Sequence, residues 1–264
     1  MLKAEGLEYE AIGDGEAVLL IHGGHITDAF LPLMREAALA DPYRLIRYRR
    51  RGFAGSDPHS GPFSIEEQAQ DALALMTHLR LERAHVIGHS YGGAIAVQLA
   101  IEAPSRVQSL VLLEPAIFSA EIASAVTGMS APSLEAYRSG DVAKAVDLFM
   151  SMVGGPDWRT EIAKTVPGGP EQAEKDAATS FEVESPALEK WTFDSTGASR
   201  ISQPVLYAIG GETLPIIELV KQHFQSLVPH TQHVVVPGVN HSMQMQDPKL
   251  VAAAIAEFLS RHPL

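Results

Sequence analysis

The sequence predicts an α/β protein with a mostly parallel central sheet, flanked by helices, and a helical cap inserted into the chain. Three observations support this fold class: short continuous apolar runs recur along the chain, helical patterns fill the intervals between them, and one long interval has no strand pattern. The predicted strands are Leu7–Ile12, Ala17–Ile21, Leu45–Ile46, Ala84–Ile87, Ser109–Leu113, Val205–Ile209 and His233–Val236.

The first predicted strand differs from those that follow. Leu7–Ile12 alternates apolar and polar residues, as a half-buried strand does, and then meets the turn signal Gly13-Asp14-Gly15. The next run, Ala17–Ile21, is continuously apolar, so it predicts a strand with both faces covered. The helices predicted between and after the strands are Ile65–Leu79, Gly93–Glu102, Ile216–Leu227 and Pro248–Ser260, the last with Asp247 as its N-cap.

The cap is predicted from the interval between Pro115 and Ser199, which contains helix-like stretches and no convincing strand. Asp141–Met152 has apolar residues at helical spacing, and Gly-Pro pairs punctuate the region. An interval of this length exceeds what a connecting loop in a compact domain reaches. We therefore expect one main domain, residues 1–114 and 200–264, with a helical cap, residues 115–199, over the carboxyl edge of its sheet.

The composition argues against several classes of protein. A net charge of −12 disfavours nucleic acid and anionic membranes as partners, because phosphate groups are bound by basic surfaces. The absence of cysteine excludes disulfides, thiol nucleophiles and thiolate metal sites. The first ten residues show no secretory signal, and no apolar run reaches the ~18 residues of a transmembrane helix. We expect a cytoplasmic protein that is a monomer or a homodimer.

The strongest functional signal is Gly88-His89-Ser90-Tyr91-Gly92, which follows the predicted strand Ala84–Ile87 and opens the predicted helix at Gly93. So sharp a turn from strand to helix holds its central residue in a strained conformation and needs small neighbours that let backbones approach. The hydroxyl of Ser90 is then exposed above the sheet, at a helix N-terminus that favours negative charge. We interpret Ser90 as a nucleophile.

With this elbow, the sequence resembles members of the α/β-hydrolase superfamily that carry a cap domain. The resemblance extends through His22-Gly23-Gly24, Arg51-Gly52-Phe53-Ala54-Gly55-Ser56, the Ser90 elbow and Pro237-Gly238-Val239-Asn240-His241. It implies the α/β-hydrolase fold, with the main domain as the catalytic domain, and no cofactor. It also implies that His241 is the general base for Ser90. The backbone N–H groups of Gly24 and Tyr91 would then form the oxyanion hole.

The acid of the expected Ser-acid-His set has two candidates. Glu212 is the only carboxylate in the loop after Val205–Ile209, where the family usually carries its acid as an aspartate. Glu114 ends the apolar run Ser109–Leu113, in a position that resembles the acid of certain haloalkane dehalogenases and lactonases. A carboxylate at the buried edge of a sheet requires a partner, and the second ring nitrogen of His241 is a suitable donor. We therefore prefer Glu114 and keep Glu212 as the alternative acid.

Substrate selection is expected to lie mostly in the cap. Aromatic and methionine side chains there are candidates for an apolar acyl or ring pocket, although at helical spacing such residues also form ordinary cores. His25 is a further candidate for a substrate contact, since it lies beside the expected oxyanion hole. The cap candidates are Phe118, Met129, Phe149, Met150, Met152 and Trp158.

Four arginines, at positions 47, 49, 50 and 51, cluster where the family usually has the pattern D-x-R-G-x-G. Arg49 stands in place of the aspartate and Ala54 in place of a glycine, so the turn departs from the pattern. The cluster allows an anionic substrate, or a structural arginine in a solvated turn. We prefer the second interpretation, in which Arg51 holds the loop by hydrogen bonds to carbonyl groups.

The implied activity is hydrolysis of a carboxylic ester or lactone through an acyl-enzyme, with a small-molecule substrate as the only partner. A serine at the elbow argues against haloalkane dehalogenase and epoxide hydrolase chemistry, which needs a carboxylate nucleophile. Carbon–carbon bond hydrolysis and cofactor-free perhydrolysis use the same Ser-His-acid set and are kept as alternatives. A catalytically silent ligand-binding member of the fold is the alternative from a different class. No metal site is expected, since the sequence has no HExxH pattern.

Overall fold

In the computed structural model, which describes residues 1–264, the chain forms one eight-stranded sheet. Its strands are β1 (Leu2–Ala4), β2 (Leu7–Ile12), β3 (Glu16–Ile21), β4 (Tyr43–Arg49), β5 (Ala84–His89), β6 (Val107–Leu113), β7 (Val205–Gly210) and β8 (Gln232–Val236). Their order across the sheet is β1-β2-β4-β3-β5-β6-β7-β8. β1 and β2 pair antiparallel with their neighbours, whereas every pair from β4 to β8 is parallel. The predicted mostly parallel sheet is confirmed.

Helices pack on both faces of the sheet and fill the interval between β6 and β7. They are α1 (Ala37–Ala40), α2 (Ile65–His78), α3 (Tyr91–Glu102), α4 (Ala120–Arg138), α5 (Val142–Gly154), α6 (Trp158–Thr165), α7 (Gly169–Lys175), α8 (Ser185–Lys190), α9 (Ser195–Ala198), α10 (Pro215–Leu227), α11 (Met243–Gln246) and α12 (Pro248–Ser260). A π-helix covers Thr179–Glu184, and short 3-10 turns cover Leu33–Arg35 and Pro104–Arg106. None of these helices has the length and apolar character needed to cross a membrane.

Two strands differ from the sequence prediction. β4 extends well beyond the predicted Leu45–Ile46, because arginines interrupt its apolar run at positions 44, 47 and 49. β1 was not predicted at all. It has only three residues, it lies at the sheet edge, and two of its three residues are exposed, so it shows no apolar pattern.

Side-chain caps are present at the starts of α2 and α12, of which the Asp247 cap of α12 was predicted. α2 begins after Ser64, whose Oγ accepts a hydrogen bond from the Glu67 N–H, while the Glu67 carboxylate accepts one from the Ser64 N–H at 2.8 Å. α12 begins after Asp247, whose carboxylate accepts from the Leu250 N–H, with Pro248 in the first helical position. These caps fix the starts of helices that cover the two faces of the sheet.

The interval between β6 and β7 packs in two parts. α4 to α7 and the π-helix enclose a small apolar core that includes Val146, Trp158 and Phe181. Side chains of the main domain also contribute to this core, among them Ile26 and Met245. Trp191 and Phe193, although within the interval predicted as cap, belong to the main core on the α3 face of the sheet. The Trp191 indole N–H donates to Gln98 Oε1 of α3 at 2.9 Å. The stretch from α8 to α9 therefore packs with the main domain.

Candidate active site

Ser90 lies in the sharp turn between β5 and α3, with φ 50° and ψ −119°. A non-glycine residue in such a conformation costs about 1–3 kcal/mol, so the surrounding backbone must enforce it. The Ser90 N–H donates to the Leu113 carbonyl at 3.0 Å, and its own carbonyl accepts from the Ala116 N–H at 2.9 Å. These bonds tie the elbow to the end of β6. The Ser90 side chain makes no hydrogen bond within the protein, and the residue is half-buried.

Close backbone packing explains why the elbow and the loop beside it contain glycine. A Cβ on Gly88 would collide with the backbone of Gly92, and a Cβ on Gly92 would collide with the carbonyl oxygens of Ile21 and His22. A Cβ on Gly23 would lie 2.9 Å from His89 Nδ1 and 3.1 Å from the Ser90 Cβ. The loop that follows β3 therefore packs directly against the elbow, backbone against backbone.

The structure brings His241 and Glu114 together. His241 Nδ1 donates to Glu114 Oε2 at 2.6 Å, and only 1% of Glu114 is exposed. Two more donors satisfy the same carboxylate, the Gly210 N–H at 2.7 Å and the Thr213 hydroxyl at 2.9 Å. A buried carboxylate with three donors is fully compensated, as the sequence argument required. Because Nδ1 carries the proton, Nε2 of His241 keeps a lone pair that can accept one.

Glu212 lies apart from this pair. Its residue is exposed, its backbone N–H donates to the Val239 carbonyl, and its carboxylate makes no hydrogen bond. Glu114, by contrast, has φ 42°, an uncommon conformation for a non-glycine residue. Of the two candidate acids, the geometry places Glu114 on the histidine and leaves Glu212 in solvent.

His89 makes a contact that the sequence did not indicate. Its Nε2 donates to the His241 carbonyl at 2.9 Å, and the two rings lie 4.8 Å apart. Burial, with a smaller electrostatic contribution from the neighbouring His241, lowers the pKa of His89 to about 3, so this imidazole is neutral at physiological pH. His89 therefore links the residue before Ser90 to the loop that carries the base.

The two predicted oxyanion donors are both free. Neither the Gly24 N–H nor the Tyr91 N–H donates to any protein group. Tyr91 is the first residue of α3, and the first N–H groups of a helix have no partner within it. Unpaired amides beside Ser90, one of them at a helix N-terminus, are suited to stabilise negative charge on a substrate oxygen.

Each of the four clustered arginines pairs with a carboxylate. Arg47 contacts Glu10 and Asp28, Arg49 contacts Glu8 and Asp28, Arg50 contacts Glu184, and Arg51 contacts Asp71. No arginine of the cluster is left as a free cation for an anionic substrate. This supports the structural interpretation of the cluster.

The neighbouring residues Arg50 and Arg51 bond to different parts of the main domain. Arg51 bonds one carbonyl, that of Glu5, and is otherwise bidentate to Asp71 on α2. Arg50 instead donates to the carbonyls of His22 and Gly23. The prediction that Arg51 holds its own turn through carbonyl groups is met by one such bond, to Glu5, while its other donors bind Asp71.

The predicted pocket residues fall into two groups. His25 is buried, neither ring nitrogen has a protein partner, and its ring centroid lies 4.7 Å from that of Phe149. Burial lowers the pKa of His25 to about 4, so the ring is neutral. Phe118 and Phe149 are half-buried at the cap side of the sheet.

Met150 and Trp158 belong to the second group. Both lie in the apolar core of the cap, and Trp158 is only 1% exposed, with its indole N–H bonded to Asp147. Both side chains pack within this cluster, and their role in substrate binding stays a prediction. Met129 is largely exposed on α4, and Met152 is half-buried. Phe181, whose ring lies 5.3 Å from that of His25, was missed because no pattern distinguishes it from other cap residues.

Comparison with known proteins identifies the family. The sequence model of the alpha/beta hydrolase family matches residues 18–254, which span both ends of the main domain and the cap. The chain belongs to this family, and the fold predicted from the Ser90 elbow is confirmed.

Two curated relatives show how far sequence similarity extends. The chain is 38% identical over 111 residues to a putative carbamate hydrolase RutD of Variovorax paradoxus, covering 40% of this chain and 41% of the relative. It is 34% identical over 117 residues to a 2-hydroxy-6-oxo-6-phenylhexa-2,4-dienoate hydrolase of Comamonas testosteroni, covering 41% and 40%. The match thus spans about two fifths of the length of these relatives.

Solved structures match over nearly the whole chain. The enol-lactonase of Burkholderia xenovorans LB400 superposes with a TM-score of 0.79 at 21% identity, covering 96% of both chains. A thermophilic esterase of Thermogutta terrifontis superposes with a TM-score of 0.77 at 22% identity, covering 97% of this chain and 94% of the esterase. At these identities the similarity establishes the fold.

Proposed function

We propose that this protein is a serine-dependent hydrolase that cleaves a carboxylic ester or lactone through an acyl-enzyme intermediate. The observation that carries the proposal is the 2.6 Å hydrogen bond between His241 Nδ1 and the buried Glu114 carboxylate, next to the strained Ser90 elbow. A serine hydroxyl is a weak nucleophile unless a neighbouring base removes its proton. The Glu114 contact fixes the tautomer in which His241 can do so.

In the proposed mechanism, Ser90 Oγ attacks the substrate carbonyl carbon while His241 Nε2 takes the hydroxyl proton. The Gly24 and Tyr91 N–H groups bind the oxygen that becomes negative. His241 then gives its proton to the leaving alkoxide, which departs and leaves an ester on Ser90. Water, deprotonated by His241, attacks this ester, and release of the acid restores the Ser90 hydroxyl. Glu114 stabilises the imidazolium that forms in both halves of the reaction.

The charges around the site favour a neutral substrate. A dienoate substrate for carbon–carbon bond cleavage needs a cation for its carboxylate, and the arginines nearest the site are all paired with acidic residues. Beside the oxyanion loop, His25, Phe149 and Phe181 are neutral, and the one acidic side chain, Glu184, is paired with Arg50. Ester and lactone substrates fit this environment. The two solved structures described above are named as an enol-lactonase and an esterase.

The test is an activity panel with a matched variant. Wild type and Ser90→Ala are assayed on p-nitrophenyl esters of increasing acyl length, on simple γ- and δ-lactones and on an aryl carbamate. We expect wild type to hydrolyse at least one ester or lactone, with a burst of p-nitrophenol equal to the enzyme concentration when deacylation is slow. Folded wild type with no activity above Ser90→Ala would reject the proposal in favour of a ligand-binding role.

A further inference from the structure

The residue that organises both sides of the expected oxyanion hole is Arg50, directly after β4. It is 2% exposed, and its guanidinium makes a hydrogen bond in each of three directions. Nε donates to the His22 carbonyl at 3.1 Å, and Nη2 donates to the Gly23 carbonyl at 2.9 Å. Nη1 donates to Gln68 Oε1 of α2 at 2.9 Å. The planar guanidinium holds its N–H donors in fixed directions that match these three acceptors, and a lysine ammonium could not reproduce the three contacts.

The contact with the Gly23 carbonyl determines where the Gly24 N–H points. The carbonyl of Gly23 and the N–H of Gly24 belong to one trans peptide plane, in which they point in opposite directions. That carbonyl is held from two sides, by Arg50 at 2.9 Å and by His22 Nδ1 at 2.7 Å. The His22 ring is itself fixed, because its Nε2 accepts the Arg50 backbone N–H at 3.0 Å. Fixing the carbonyl therefore fixes the donor on the opposite edge of the plane.

The same guanidinium also contacts the second donor residue. Its central carbon lies 5.0 Å from the centroid of the Tyr91 ring. Gln68, which accepts from Arg50, donates through Nε2 to the Tyr91 hydroxyl at 2.8 Å. One buried cation thus joins the loop that carries Gly24 to the residue that supplies the other amide.

The partner that neutralises this cation comes from the cap. Glu184, the last residue of the π-helix, is 5% exposed and forms an ion pair with Arg50. Its other carboxylate oxygen lies 3.1 Å from the position that a Cβ on Gly24 would occupy. Earlier in the π-helix, Ser180 Oγ accepts from the His25 N–H at 3.3 Å. Glu184 and Ser180 of the π-helix therefore both lie against the oxyanion loop, and Glu184 also contacts Arg50.

We propose that Arg50 is a positioning residue for the oxyanion hole and that Glu184 of the cap keeps it in place, so that cap docking and donor geometry are coupled. A buried charge that loses its partner is strongly unfavourable, so Arg50 would move or recruit water without Glu184. The π-helix is consistent with such a role, since this rare geometry is frequent at functional sites. The expected change in kcat rests on the proposed function, whereas the expected change in the mobility of the oxyanion loop does not.

The test compares two neighbouring arginines. Arg50→Lys keeps the charge and loses the fork, and Arg51→Lys makes the same change at the residue that pairs with Asp71 away from the loop. Glu184→Gln is a second variant, which removes the charge that pairs with Arg50 and leaves the side-chain shape nearly unchanged. It tests the same inference if Arg50→Lys folds poorly. Thr179→Val removes a different cap-to-core hydrogen bond, to the Gly52 carbonyl, and serves as a control for cap docking.

Two readouts are measured on the full chain. Amide hydrogen exchange at His25 and Ile26 should be about 10-fold faster in Arg50→Lys and Glu184→Gln, and unchanged in both controls. For the best ester of the wild type, kcat should fall about 10²-fold with KM within about threefold, as expected for a displaced donor. Wild-type exchange in both Arg50→Lys and Glu184→Gln would overturn the inference. An inactive wild type would reject the proposed function, while the exchange measurement would still decide the positioning role.

Discussion

The two segments that supply the expected oxyanion donors are held in different ways. The elbow around Ser90 is fixed by its own backbone, through hydrogen bonds to Leu113 and Ala116 and through glycines that leave no room for a side chain. The loop around Gly24 is fixed by side chains from elsewhere in the chain, above all Arg50 and Glu184. The elbow is therefore held by backbone contacts within the main sheet, and the loop depends on side chains, two of which, Glu184 and Ser180, come from the cap.

This difference separates the nucleophile from substrate selection. A change in the helices α4 to α9 should leave the strain and position of Ser90 unchanged, because the elbow bonds to Leu113 and Ala116 at the end of β6 and to no residue of those helices. The same change acts directly on the loop, where the cap contacts His25 through Ser180 and the loop's organising arginine through Glu184. Substitutions in the elbow and in the loop should therefore have effects that differ in kind as well as in size.

The largest effect is expected at the elbow and its base. Ser90→Ala and His241→Ala should each lower kcat by about 10⁶-fold, and the double variant should be no worse than either, because nucleophile and base act as one unit. Steady-state kinetics on the best ester measure all three. A double variant far less active than both single variants would mean that the residues act independently, contrary to the mechanism.

The two glutamates sharpen the assignment of the acid. Glu114→Gln should lower kcat by about 10⁴-fold, because an amide in that position can favour the wrong tautomer of His241. Glu212→Gln, at an exposed carboxylate without partners, should leave kcat within about twofold. Kinetics on the same ester compare them. Equal losses in both variants, or the reverse order, would exclude Glu114 as the orienting acid.

A glycine pair tests whether the elbow is fixed by packing. Gly92→Ala should lower the free energy of unfolding by about 1–3 kcal/mol, since the new Cβ meets two carbonyl oxygens. Gly128→Ala, in α4 with open space around the site, should raise it by about 0.5–1 kcal/mol. Urea unfolding measures both. The packing account fails if Gly92→Ala is as stable as wild type.

The smallest effect concerns the loop. Burial lowers the pKa of His25 from 6.5 to about 4, so between these values the unfolded chain binds a proton that the folded chain does not. The contribution of neutral His25 is therefore complete above pH 6.5 and is lost as the pH falls toward 4. His25→Asn, which tolerates the φ of 62°, should reduce the loss of unfolding free energy between ~pH 7.5 and ~pH 5 by roughly 1–2 kcal/mol. Identical losses in urea unfolding would contradict this.

The sequence was most informative where structure is local. The parallel strands, the start of α12 at Asp247 and the Ser90 elbow follow from runs of adjacent residues, and the structure has them at or close to the predicted positions. Glu114 could be preferred over Glu212 because an apolar strand that ends in a carboxylate implies a buried charge, and the structure supplies three donors to it. The inference was possible because burying a carboxylate without partners costs too much solvation free energy.

The remaining site contacts could not be predicted, because they join residues distant in the chain. In the chain, Arg50 and Glu184 are separated by two strands, the helices α2 and α3 and most of the cap, and nothing in either local sequence marks the pair. The same is true of His89 and the His241 carbonyl. Met150 and Trp158 were candidates for a pocket, but apolar residues at helical spacing do not reveal whether a helix faces a cavity or its own core.

The most direct test of the central claim is intact-protein mass spectrometry after incubation with a fluorophosphonate, with wild type and Ser90→Ala side by side. The reagent phosphonylates only a serine that a base activates, and its product mimics the oxyanion intermediate. The account predicts one adduct on wild type and none on Ser90→Ala. A folded wild type that stays unmodified, or an adduct of equal yield on Ser90→Ala, would contradict Ser90 as the activated nucleophile.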